Sequence, residues 1–105
     1  MAWLFVITAG LIEIVFAMSL KASDGFMRPW PALLCVVSGL VSVVMLSAGL
    51  KSLPIGTGYA VWVGIGAAGV ALAGIVLLGE SASLARLSFM GLIVLGVIGL
   101  KFVES

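Results

Sequence analysis

Residues 2–20 read Ala-Trp-Leu-Phe-Val-Ile-Thr-Ala-Gly-Leu-Ile-Glu-Ile-Val-Phe-Ala-Met-Ser-Leu, an apolar run interrupted by a single charged residue, Glu13. A helix rises about 1.5 Å per residue, so roughly 20 predominantly apolar residues cross a bilayer. The run has that length and is apolar on all sides, which predicts a transmembrane helix. It has no basic segment before it and no convincing cleavage site after it, and Glu13 breaks it. A retained helix is therefore expected, not a signal peptide.

Three further runs follow the same pattern. Residues 32–50 and 57–78 carry no charge, and residues 84–103 carry only Arg86 and Lys101. Each run is about 18–22 residues long. The segments between them hold the other charges except Glu104, and the prolines: Lys21 to Pro31, with Asp24, Gly25, Arg28 and Trp30; Lys51 to Gly56; and Gly79-Glu80-Ser81-Ala82-Ser83. These are read as loops, with Trp30 at the membrane interface. Transmembrane strands would be shorter and would alternate polar with apolar residues. The expected fold is all-α and integral to the membrane: one domain over residues 1–105, a bundle of helices at about 2–20, 32–50, 57–78 and 84–103.

Composition agrees. The 105 residues are 64% hydrophobic and 9% charged, against about 45–50% and 25% for a soluble domain. A soluble chain this small could not hide that much apolar surface. The net charge is +1 with no histidine, and no basic run suggests nucleic acid. Cys35 is the single cysteine, which excludes an internal disulfide and a cysteine metal cluster. No nucleophile–base pair or phosphate loop appears, so neither an enzyme nor a cofactor is expected.

Four spans put both termini on one side. Loops one and three then carry Lys21, Arg28 and Arg86, and the opposite side carries Lys51 and Lys101. Positive charge orients membrane proteins, and three against two is almost no bias. Two readings stay open: insertion in both directions, giving an antiparallel homodimer, or a fixed orientation. Size favours a dimer, because four minimal helices enclose little space around a polar site.

Glu13 is the sharpest functional signal. An acid at mid-membrane costs about 2.5–3.5 kcal/mol on insertion scales, and such residues are functional by default. Loss of water penalises the charged form of a carboxylate. A membrane acid can therefore hold a proton and release it when a cation arrives. The alternative is a structural acid paired with Lys101, but Lys101 lies where it can snorkel to the interface. One helical turn from Glu13 lie Ala9, Gly10, Phe16 and Ala17, which suits either a cavity or close helix packing.

Other spans offer candidates. Tyr59, Trp62 and Gly66 share one face of the third helix. Their rings fit interfacial anchoring or attraction of a cation, and Tyr59 can donate to a carboxylate. Ser38, Ser42, Met45 and Gly49 form a stripe on the second helix, where a serine either bonds back to its own helix or serves the acid. Residues 64–69 match the dinucleotide pattern G-x-G-x-x-G, but that motif needs a preceding strand. Gly64, Gly66 and Gly69 are expected to allow close packing or a kink of helix three. Gly91, Gly96 and Gly99 mark helix four as a packing or dimerisation element.

At these residues the chain resembles the small multidrug resistance family almost end to end. The resemblance rests on Glu13, on Asp24-Gly25-Phe26 with Arg28 and Trp30-Pro31, and on Leu53-Pro54-Ile55-Gly56-Thr57-Gly58-Tyr59-Ala60-Val61-Trp62. It continues through Gly64-Ile65-Gly66, Gly79-Glu80-Ser81 and Gly99-Leu100-Lys101. The resemblance implies a proton-coupled exporter of the bacterial plasma membrane, built as an antiparallel dimer of four-helix protomers. Two copies of Glu13 would line one site, open alternately to each side. It implies Tyr59, Trp62 and Ser42 as site residues, with Phe16 and Gly10 beside them, helix four as the dimer contact and helix three as the kinked one. Some relatives work as unlike pairs, so a homologous partner is an alternative to a second copy.

Within the family, Gly56-Thr57, Gly64-Ile65-Gly66-Ala67 and Gly99-Leu100-Lys101 look like the guanidinium exporters. That subtype usually has tryptophan where this chain has Phe16, and quaternary-ammonium exporters have glycine. Phe16 keeps the ring and loses the indole N–H, which makes the site greasier. The expectation is export of guanidinium or small substituted guanidinium cations against protons. The alternatives are a quaternary-ammonium or hydrophobic-cation exporter and, from a different class, a structural or regulatory membrane subunit.

Overall fold

The computed structural model describes residues 1–104, with the side chain of residue 104 outside the description. It contains α1 (Ala2–Ala22), α2 (Pro29–Leu50), α3 (Ile55–Leu78) and α4 (Leu84–Glu104), and no strand among the described residues. All four are long and apolar enough to span a membrane. In lipid each backbone polar group must be satisfied inside the chain, which a helix does by itself.

The helices are longer than the apolar runs that announce them, because polar and proline residues join their ends. Pro29-Trp30-Pro31, expected in a loop, forms the first turn of α2. The first turn of a helix has no acceptors for its N–H groups, so prolines lose nothing there. Arg28 before them is extended, at φ −100° and ψ 116°, as a residue preceding proline must be. Ile55 and Gly56 likewise open α3 behind Pro54 instead of completing a turn. Lys21 and Ala22 extend α1, where a cation suits the negative end of the helix dipole.

The first loop is held by Ser23, which is fully buried. Its hydroxyl donates to the Leu20 carbonyl (2.7 Å) and accepts from the Phe26 N–H (3.1 Å). Asp24, Gly25 and Phe26 all take left-handed φ values of 51°, 69° and 68°. Phe26 in that region is strained, and the Ser23 bonds hold it there.

In the packing, α1 lies against both α2 and α3, and α4 lies along α3. Val6, Ala9, Leu46 and Val61 form the core. Glycines set the helix separations. A methyl group at Gly10 would sit 2.9 Å from the Ile65 Cβ, and one at Gly49 would sit 3.0 Å from the Ala2 carbonyl oxygen. Lys101 lies 5.0 Å from the centroid of the Trp3 ring, linking the end of α4 to the start of α1. The protomer is a slab of 41 × 35 × 16 Å. Two grooves lie open on its faces.

Close packing at Gly10 generates a prediction. Gly10→Val overfills the α1–α3 contact and lowers stability by about 1–3 kcal/mol. Gly56→Ala, where an added methyl meets nothing within 4 Å, does not. Thermal denaturation of the purified protein in detergent separates the two. Equal effects would contradict the packing described.

Candidate functional site

Glu13 stands halfway along α1, partly exposed, where α1 faces both α2 and α3. Room for it comes from Gly66 on α3: a methyl there would lie 3.0 Å from the Glu13 Cγ and 3.3 Å from its Cβ. The acid thus packs its methylenes against bare backbone, and any larger residue at position 66 displaces it.

The carboxylate is the end of a polar chain that crosses three helices. The Trp62 indole N–H on α3 donates to the Ser42 Oγ on α2 at 2.9 Å. The Ser42 hydroxyl has two acceptors on α1, the Ala9 carbonyl at 2.8 Å and the Glu13 Oε2 at 3.3 Å. A hydroxyl carries one proton, so it serves one acceptor at a time. Ser42 is fully buried, and an unmade bond there is costly. Its bonds therefore fix the register of the three helices around the acid. Ser38, one turn earlier, bonds back to the Leu34 carbonyl of its own helix at 2.7 Å. The two serines of the stripe thus divide between the two behaviours expected of membrane serines.

The remaining candidates fall into distinct places. Tyr59 joins through its ring, 5.3 Å from that of Trp62 and tilted by 59°. Phe16 packs onto Gly39 of α2, where a methyl would lie 2.8 Å from the ring. Gly10 packs against Ile65 and so serves as a helix contact. Gly64, Gly66 and Gly69 lie inside the single uninterrupted helix α3, and each is a contact point. Gly64 faces Val97 of α4, Gly66 faces Glu13, and Gly69 faces Ile14 of α1. At Gly91, Gly96 and Gly99 an added methyl would meet nothing within 4 Å; Gly91 borders a groove of about 360 Å³ shared with Ile14 of α1 and Gly69 of α3, and Gly96 and Gly99 are exposed.

Glu13 and Trp62 border two grooves. The first, about 510 Å³, runs between α1 and α3 from Glu13 to the loop end, where Lys21, Glu80 and Arg86 line it. Small residues floor it, among them Ala17, Ala67, Ala71 and Gly74. The second, about 470 Å³, lies on the α1–α2 side and is walled by Phe16, Phe26, Cys35, Val36 and Val43. Either has the size usual for a small-molecule site. One carries charge at its end, and the other is almost wholly apolar.

An acid on a membrane-length helix thus has an aromatic near it and open grooves on both sides. The family model described as "Small Multidrug Resistance protein" matches residues 1–93. The chain belongs to the small multidrug resistance family. It is 55% identical over 101 residues to a protein of Yersinia pestis named "Guanidinium exporter", covering 96% of this chain and 97% of that one. Proteins of the same name from Salmonella typhimurium and Escherichia coli K12 are each 54% identical, with 96% of both chains covered. Membership places the chain among transporters, not enzymes, and the four spans make it a multi-pass protein of the bacterial inner membrane.

The sequence had no means of showing the Ala9 carbonyl, the Gly39 seat for Phe16 or the charged groove end. Backbone acceptors leave no mark in a sequence, and Gly39 looks like any other membrane glycine.

The polar chain generates a prediction. Ser42→Ala removes the acceptor of the Trp62 N–H, so the indole Nε1–H resonance assigned to Trp62 moves upfield while those of Trp3 and Trp30 stay. An unmoved Trp62 resonance would contradict the bond.

Proposed function

We propose that the protein exports guanidinium or small substituted guanidinium cations by proton-coupled antiport, with protons and cargo competing for Glu13. The observation that carries this reading is the Trp62–Ser42–Glu13 chain set between two open grooves. A planar cation can take the carboxylate as acceptor and the Trp62 face as a cation–π partner. Relatives at 54–55% identity bear the name guanidinium exporter, which supports the same cargo class. The cation occupies Glu13 when the proton leaves, and the proton returns when the cation leaves. Alternating access then exposes the loaded acid to one side at a time, with flexing of α3 at Gly64, Gly66 and Gly69 as the moving part.

The working unit in this reading is an antiparallel homodimer. A 16 Å slab leaves both grooves open, and a second copy closes them and brings a second Glu13. Gly91, Gly96 and Gly99 of α4 supply the contact, and the nearly balanced positive charge allows the second copy to insert inverted. A paired homologue can fill the same role.

One observation favours a broader cargo. Phe16 gives the second groove an aromatic wall and no N–H, so that groove accepts apolar substituents on a cation whose charge rests at Glu13. Alkylguanidiniums fit this best, and hydrophobic quaternary ammonium ions are the second reading.

Currents recorded on solid-supported membranes, from proteoliposomes of the purified chain, test these readings. Guanidinium and alkylguanidiniums evoke currents, and Glu13→Gln abolishes them. Silence of the purified wild-type chain would instead favour a subunit role. Lowering pH weakens apparent cargo affinity, by up to about tenfold per unit for each proton displaced. Phe16→Trp narrows the range toward guanidinium itself. An unchanged range would remove Phe16 from the selectivity account. Gly96→Leu converts the dimer to monomer in single-molecule photobleaching, and an unchanged dimer would contradict the α4 contact.

A further inference from the structure

The groove that starts at Glu13 ends at a second carboxylate, Glu80, and that carboxylate already holds a guanidinium. The Arg86 Nη2 lies 2.6 Å from the Glu80 Oε1, and the Arg86 Nη1 donates to the Ser81 carbonyl at 3.0 Å. Both side chains line the same cavity as Glu13, with Lys21 beside them.

The placement is built by the end of α3. Gly79 takes a left-handed φ of 68°, and both its N–H and that of Glu80 turn back to the Gly74 carbonyl, the latter at 3.1 Å, so a left-handed glycine closes the helix. This folds the Glu80 side chain back along the last turn of α3, over Gly74. A methyl on Gly74 would lie 2.8 Å from the carboxyl carbon of Glu80. Only glycine leaves that seat free. Arg86, in the first turn of α4, then reaches across the loop to the same oxygen.

We propose that Glu80 is a second cargo site at the mouth of the groove, and that Arg86 occupies it as a tethered competitor while the groove is empty. The proposal rests on the reading that guanidinium compounds are the cargo. The chemistry is direct: the side chain of arginine is an alkylguanidinium, so a seat that accepts Arg86 accepts the free ion. Both partners are partly exposed, where ion pairs are weak. A free cation can therefore displace Arg86, and Arg86 can reclaim the seat once the cation moves on. A weak, self-refilling site at the mouth concentrates cargo near the groove without trapping it.

The half-saturating guanidinium concentration of the transport current tests this in a double-mutant cycle. Glu80→Gln raises it about two- to fivefold, the scale of an exposed ion pair. Arg86→Gln lowers it by a similar factor, because the competitor is gone. The double variant behaves like Glu80→Gln, since Arg86 acts only through the seat. A double variant that returns to the wild-type value would mean that the two charges act only as an additive field, and would overturn the site. Single variants that both raise the value would mark a structural ion pair and overturn it equally.

A second readout avoids reliance on these variants folding alike. In the Glu13→Gln protein, with the deep acid neutralised, guanidinium shifts the Arg86 side-chain Nε–H resonance saturably. No shift at millimolar guanidinium would overturn the proposal. A wild-type protein that passes no guanidinium current would instead overturn the cargo reading, and this site with it.

Discussion

The structure depends on one constraint: a carboxylate placed halfway along a membrane-spanning helix must be given polar partners and a path to water. Four features around Glu13 answer it. Gly66 clears the space its methylenes need. Ser42 reaches over from α2 and Trp62 stands behind Ser42 on α3, so the acid is tied to both neighbouring helices. The groove along α3 then leads from the acid to the charged loop end. Removing the acid would leave the glycines, the serine and the groove without a common purpose.

The same constraint explains why the protomer is thin. On the proposed reading the site must be reached from outside and cannot be sealed inside its own chain, and this chain has grooves open on its faces. Ordinary packing accounts for α1, α2 and α3, whose contact glycines face named neighbours. The packing of α4 is one-sided: it lies along α3 with Val97 against Gly64, and no residue is buried within its span. In lipid an uncovered apolar face is stable, so α4 requires no partner for stability. On the proposed reading its role is to bring a second protomer against the open site.

The helices were legible because bilayer length and unbroken apolarity leave no alternative. Their ends were not, since prolines at a helix start look the same in a sequence as prolines in a loop. Glu13 stood out from cost alone, whereas the helical faces left Trp62 and Ser42 with two readings each and only the family resemblance singled them out. What they bond to was not, because the Ala9 carbonyl is a backbone group and the choice between Ser38 and Ser42 depends on which neighbour each faces. Gly64, Gly66 and Gly69 were readable as small residues, but not as separate seats for Val97, Glu13 and Ile14. Glu80 and Arg86 read as ordinary loop charges. Only the left-handed turn at Gly79 carries Glu80 back over α3 into the groove, and a turn's direction is set by backbone geometry that composition does not record.

In the proposed cycle, cargo and proton exchange at one carboxylate. This exchange is tested most directly by proton release from detergent-solubilised protein in weakly buffered solution as guanidinium is added. Binding then releases protons from the wild-type chain, and Glu13→Gln releases none. Guanidinium binding without proton release, or release that persists in Glu13→Gln, would contradict it.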